Sequence, residues 1–266
     1  MSMPKSDQSA QSALSDPSAQ FSQADRSHQS AQSRQSTNVD YSEIAKFNQQ
    51  AQQWWDSDGP LKTLHDINPV RLDYIKAKGE LTGKSILDVG CGGGILAEGL
   101  ARAGAVVTAI DLSPELIAIA TAHSNAQNLN IDYRCIDIES FSRSHLQAFD
   151  MITCLELLEH VPDPQPFIHS LAKCVKPNGD IFLSTLNRTP KSFLFAIVGA
   201  EYVLNILPRG THHYDKFIKP SELSRWARLN QLEVKEFKGM WYQPFSRLAG
   251  LHENLSVNYL AHLQVV

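Results

Sequence analysis

The sequence predicts an α/β fold: a doubly wound, mostly parallel seven-stranded sheet with helices on both faces and an antiparallel edge strand. Three observations point there. An apolar run between Lys84 and Gly90 leads into a glycine cluster and then a helix. Short apolar strands alternate with helical patterns from Ser85 to Thr185, and two strands follow one another near the end of the chain. Alternation with helices demands parallel pairing, and two strands in succession supply the antiparallel edge.

A chain of 266 residues has room for one large α/β domain with appendages, and 42% hydrophobic content supports a true core. A formal net charge of −4 argues against a broad nucleic-acid footprint, so no nucleic-acid partner is expected. Cys91, Cys135, Cys154 and Cys174 form no CxxC pair. That indicates neither a disulfide framework nor a zinc site and fits a reduced, cytoplasmic setting.

Taken in order, residues 1–37 are dominated by Ser and Gln, with serine recurring every third residue from Ser6 to Ser18. So polar a tract cannot bury enough surface to offset its ordering entropy, and a disordered tail is expected. It has no apolar signal core, and Asp7, Asp16 and Asp25 suit a transit peptide poorly. Residues 38–80 read as N-terminal helices. Ile44, Phe47, Ala51 and Trp54 or Trp55 recur at helical spacing, with Ser42 as cap and Gly59-Pro60 as stop. Packing on the main domain and a lid over a ligand are both open for this stripe. A second helix is expected to start near Pro69, with Arg71 close to its beginning.

Residues 81–187 form the expected core. Helices are read over Ile95–Arg102, Pro114–Asn125, introduced by Ser113, and Gln165–Val175, ended by KPNG. Strands are read over Ala105–Ile110, Ile131–Cys135, Phe149–Leu155 and Asp180–Thr185, after the first strand at Ser85. An insertion occupies 188–219. Residues 220–266 complete the sheet with a helix over Ser221–Asn230 and strands at Glu233–Phe237 and Asn258–Gln264.

The glycine cluster is where the first two strands meet a ligand. Asp111 ends the second strand about 20 residues on, where a carboxylate can accept from both hydroxyls of a nucleoside ribose. A dinucleotide fingerprint would place its third glycine where Ile95 stands, so that pattern fits poorly. What is present is DxGxGxG, Asp88 with Gly90, Gly92 and Gly94, which resembles motif I of the S-adenosylmethionine-dependent methyltransferases of the Rossmann-like class. The resemblance implies that Asp88 helps hold the amino end of the methionine moiety above the loop backbone. In that class an acid just past the third strand often meets the adenine amino group, which here is Asp137.

Ligands bind beyond the carboxyl ends of parallel strands, so ELLEHVPDP after the fourth strand should face the reacting methyl. On a helical turn Glu156, Glu159 and His160 project from one face, where they can converge on a divalent cation. A metal-free alternative has Glu159 or His160 take a phenolic proton. A third reading has them cap the next helix, and spacing alone leaves all three open.

Ser192–Leu207 is apolar but only 16 residues long, with Arg188, Lys191 and Arg209 at its ends. A spanning helix needs roughly 20 apolar residues. A helix lying on a membrane surface or over a greasy substrate fits the flanking cations better, with a core helix as the alternative. His212 and His213 follow as a further candidate base.

These residues together resemble the ubiquinone biosynthesis O-methyltransferases. The motifs that carry the resemblance are EIAKF, QWWD, INPVRLDYI, LDVGCGGGILAE, LELLEHVPDP, STLNR, VGAEY and GTHHYDKFIKP, spanning Val39 to about His262. Membership would imply methyl transfer from S-adenosylmethionine to a ring hydroxyl of polyprenylated catechols or phenols, namely 2-polyprenyl-6-hydroxyphenol and 3-demethylubiquinol. It implies cofactor contacts at Arg71, Gly90, Asp111 and Leu155, to which motif I adds Asp88 and Gly92. By analogy with eukaryotic relatives it implies Mg²⁺ on Glu156, Glu159 and His160. It also implies lipid contact through the insertion at 188–211, a peripheral place on the inner membrane surface and a ubiquinone-biosynthesis complex. Two other functions compete: methylation of a different acceptor, such as a soluble phenol or an RNA base, and a non-catalytic cofactor-binding module.

Overall fold

The computed structural model describes residues 38–194 and 214–266. The expected tail at 1–37, and the part of the insertion that carries VGAEY, His212 and His213, lie outside these residues.

α1 (Tyr41–Asn48) is capped by Asp40, which accepts from the Ser42 amide. It stops short of the tryptophans, which follow a separate 3₁₀ turn at Ala51–Gln53, so the expected continuous stripe is broken in two. α2 (Lys62–Lys76) begins a full two turns before Pro69, which sits inside it. Proline disfavours a helix interior, yet Ile67, Arg71, Tyr74 and Ile75 are all buried on the inner face of α2. That packing outweighs the lost hydrogen bond.

Six further elements alternate regularly: β1 (Ser85–Val89), α3 (Ile95–Arg102), β2 (Val106–Asp111), α4 (Pro114–Ala126), β3 (Ile131–Cys135) and α5 (Ile138–Ser142). β4 (Phe149–Leu155) is followed by a 3₁₀ turn at Leu158–His160, α6 (Pro164–Cys174) and β5 (Val175–Leu186). β5 starts directly after α6, so KPNG lies inside an irregular strand rather than in a terminating loop. Asn178 there takes a left-handed φ of +59°, and pairing with β4 slips between Phe149 and Met151. The chain closes with α7 (Pro220–Leu229), β6 (Leu232–Gln243), β7 (Leu248–His252) and β8 (Asn258–Val265).

The sheet order is β3-β2-β1-β4-β5-β8-β6-β7, eight strands where seven were expected. β1 to β5 pair in parallel, and β8, β6 and β7 continue antiparallel on one side. The additional strand is β7, paired with a β6 that runs well past Phe237. Its turn contains no glycine and uses Arg247 at φ +56°, stabilised by ion pairs to Asp58 and Asp66.

Both faces of the sheet are covered, which is why the central strands read as unbroken apolar runs. In β1, Ile86 points into a core with Tyr74 and Ile75 of α2 and Leu96 and Leu100 of α3. Leu87 points the other way, into a core with Phe141 of α5, Ile168 of α6 and Leu223 of α7. Each such fully buried side chain contributes about 1.5–3 kcal/mol.

Candidate functional site

The carboxyl ends of β1, β2, β4 and β5 converge on the glycine loop. Gly92 has φ +53°, and a Cβ there would lie 2.3 Å from the Trp54 ring. A side chain is therefore excluded both by conformation and by contact. Trp54 is buried with its indole N–H unpaired among the described residues, while Trp55 donates to Gly93 O at 3.0 Å and stacks on His123. The tryptophans thus press on the loop.

Asp111, at the end of β2, accepts from the amides of Gly92 and Ser113, each at 2.9 Å. Burial pushes its pKa up, and those amides hold it back. Asp88, one strand over, is buried and accepts from Thr153 Oγ1 at 2.7 Å through Oδ1, while Oδ2 has no partner among the described residues. Burial, with help from the charge of Asp111, lifts its pKa to about 7 against the Thr153 hydrogen bond. Gly90, at φ +72°, sits between these acids under the Leu157 side chain. Asp137 caps α5, accepting from the Ser140 amide at 2.8 Å, a structural task. Leu155 is the last residue of β4, opposite Ser184.

Arg71 reaches across from α2. It is buried, not at the surface, and its Nη2 meets Glu156 Oε1 at 2.8 Å while its Nε is buried without a partner among the described residues. Glu156 stands outside the 3₁₀ turn at φ +54°, its carboxylate also accepting from Ser184 Oγ at 2.7 Å. Glu159 is buried and accepts from Thr185 Oγ1 at 2.7 Å, leaving Oε1 without a partner among the described residues. Burial, then the charge of Glu156, raises its pKa, and His160 and Thr185 oppose the rise. His160 Nδ1 lies 2.8 Å from Glu43 Oε2 on α1. That hydrogen bond is the main cause holding the Glu43 pKa down at about 2, against burial and with help from Lys46.

The expectation that Glu156, Glu159 and His160 share one helical face is therefore corrected. Adjacent residues of a strand point to opposite faces. Phe182 shows that Ser184 lies on the α2 side, and Leu183 shows that Thr185 lies on the α6 side. Glu156 and Glu159 follow these two hydroxyls to opposite sides of β5, and His160 turns to α1. Among the described residues no three His, Cys, Asp or Glu side chains are grouped to hold a metal ion. The three side chains expected to bind Mg²⁺ do not fit it as arranged.

Sequence reasoning missed Glu43, Thr153, Ser184 and Thr185, which act only through distant partners. At the start of the insertion Phe193 and Leu194 are exposed. Among the described residues no helix is long and apolar enough to cross a membrane.

Residues 65–236 match the family model described as a methyltransferase domain. The chain is 51% identical over 227 residues to the ubiquinone biosynthesis O-methyltransferase of Xanthomonas oryzae pv. oryzae (strain PXO99A), covering 85% of this chain and 95% of that protein. It is 50% identical over 233 residues to that of Saccharophagus degradans, covering 87% and 99%. The chain belongs to the ubiquinone biosynthesis O-methyltransferase family. It is an S-adenosylmethionine-dependent O-methyltransferase. In fold, this member of the ubiquinone biosynthesis O-methyltransferase family is similar to magnesium protoporphyrin IX methyltransferase from Synechocystis PCC 6803, solved with bound SAM. The TM-score is 0.60 at 17% identity, over 87% of this chain and 100% of that one. α1 and the tryptophans lie outside the residues matched by the methyltransferase domain model.

Proposed function

We propose that the chain methylates ring hydroxyls of polyprenylated catechols and phenols in ubiquinone biosynthesis, 2-polyprenyl-6-hydroxyphenol and 3-demethylubiquinol. The acceptor class follows the relatives; one observation carries the donor side. Two buried atoms of opposite need near the loop have no partner among the described residues: Asp88 Oδ2, which can accept, and Arg71 Nε, which can donate. These are the needs of the ammonium and carboxylate at the amino-acid end of S-adenosylmethionine. Asp111 adds the ribose hydroxyls, Gly90 and Gly92 the close backbone, and Leu155 the strand end beside them.

Bound S-adenosylmethionine supplies a methyl group already activated on sulfonium. The protein's part is to align the acceptor oxygen, exclude water and remove the hydroxyl proton. His160 is the proton acceptor. No step runs through Mg²⁺, given the separate partners of Glu156, Glu159 and His160. Exposed Phe193 and Leu194 at the start of the apolar stretch support docking of the 188–211 insertion on an anionic membrane surface on the cytoplasmic side. A ubiquinone-biosynthesis complex is the partner that suits this reading.

The test is incubation of purified protein with labelled S-adenosylmethionine and a polyprenylated catechol, with products read by mass spectrometry. A ring methyl ether is expected, formed faster than on a tail-less catechol. Absence of any methylated product overturns the reading, and equal rates with and without the tail move the substrate class to soluble phenols.

A further inference from the structure

We infer that Glu43 is a positioning residue for methyl transfer: from a helix outside the matched methyltransferase domain, its carboxylate fixes the His160 ring so that Nε2 serves the acceptor hydroxyl. The inference rests on the reading of His160 as proton acceptor.

Glu43 is 5% exposed, and a carboxylate this buried needs partners for both oxygens. Oε2 takes His160 Nδ1 at 2.8 Å and Oε1 takes Lys46 Nζ at 2.8 Å. Phe47, one turn further along α1, meets the same imidazole edge-on, with ring centroids 5.2 Å apart and planes at 86°. One face of α1 thus grips the ring at a nitrogen and along its flank, which sets both of its torsions. A carboxylate accepting from Nδ1–H also selects the tautomer whose lone pair is on Nε2.

The helix that does this is fastened at both ends. Asn38 exchanges hydrogen bonds with the backbone of Asp163, the N-cap of α6 three residues after His160, at 2.8 and 2.7 Å. Asn48 accepts from Ser113 Oγ at 2.6 Å, beside Asp111. α1 is therefore registered against the start of α6 at one end and against the start of α4, just past Asp111, at the other. A helix needed only to cover apolar surface would not bury a glutamate at this position.

In the step itself the acceptor O–H bond breaks toward Nε2 as the oxygen forms its bond to the methyl carbon and the carbon–sulfur bond breaks. The ring becomes imidazolium, paired with Glu43, whose far oxygen holds Lys46. The proton then leaves to water, so that overall a hydroxyl hydrogen is exchanged for methyl and one proton is released.

The test uses the full chain with E43A, E43Q, H160A and the double variant E43A/H160A. Steady-state turnover is measured on a polyprenylated catechol, affinity for S-adenosylhomocysteine by calorimetry, and the His160 tautomer by long-range ¹H–¹⁵N correlation. E43A is expected to lower kcat about 10- to 100-fold with KM and ligand affinity little changed, and E43Q, which still accepts from Nδ1, to fall between. In the H160A background E43A should cost nothing further, and the wild-type ring should be protonated on Nδ1 and lose that preference in E43A. An equal drop in both backgrounds, wild-type kcat in E43A or H160A, or a wild-type ring protonated on Nε2 overturns the inference. The tautomer is read without turnover, so a chain that methylates no catechol still decides the positioning claim.

Discussion

Asp88→Asn tests the donor site through stability. Burial above all lifts the Asp88 pKa from 3.8 to about 7, with Thr153 opposing the rise. In the unfolded chain the carboxyl titrates near its ordinary 3.8, so between the two values the folded protein holds a proton that the unfolded chain has released. Stability from this group therefore falls as pH climbs from about 4 to about 7, and is level above that. At about 1.36 kcal/mol per pH unit, the three-unit span amounts to about 4 kcal/mol given up by pH 8. Asparagine keeps an oxygen for Thr153 Oγ1 and carries no charge. In urea denaturation without ligand, D88N should match wild type near pH 4, exceed it by about 1.6 kcal/mol at pH 5 and by about 4 kcal/mol at pH 8. Affinity for S-adenosylmethionine should move the other way, weakening about 10- to 100-fold at pH 8 as a charged hydrogen bond is lost. Parallel stability curves for the two proteins from pH 5 to pH 8, or unchanged affinity, would refute the reasoning.

The remaining expectations concern the loop, the ribose and the metal. Gly92→Ala should destabilise by about 2–4 kcal/mol in chemical denaturation, from a left-handed backbone plus collision with Trp54, and W54A in the same chain should recover part of it. Asp111→Ala should weaken S-adenosylhomocysteine binding in calorimetry by about 1.5–3 kcal/mol. Turnover should persist in EDTA; a loss restored by Mg²⁺ would mean that Glu156, Glu159 and His160 leave their present partners.

The central strands were legible because a sheet covered on both faces asks for apolar runs between turn residues; β4 begins and ends where its run does. The place of Asp88 and Asp111 at the tips of adjacent strands was legible for the same reason. Pro69 misled, since the local penalty it carries is smaller than the packing of Tyr74 and Ile75 around it. β7 was hidden because Arg247 turns the hairpin by ion pairs with Asp58 and Asp66, a contact no local pattern announces. The ExxEH spacing suggested one helical face, whereas a left-handed Glu156 ends the strand before any helix forms. Glu43 and Thr153 owe their roles to partners 117 and 65 residues away, so only the folded chain brings them to light.

Ser184 and Thr185 are chemically near-twins joined by one peptide bond, yet each steadies a different acid on a different flank of the molecule. Loss of the first hydroxyl removes a partner from the Arg71–Glu156 pair; loss of the second removes the hydroxyl that Glu159 accepts from. Consecutive codons thus serve two different carboxylates, and a scan that treats neighbours in the gene as neighbours in effect would misread both.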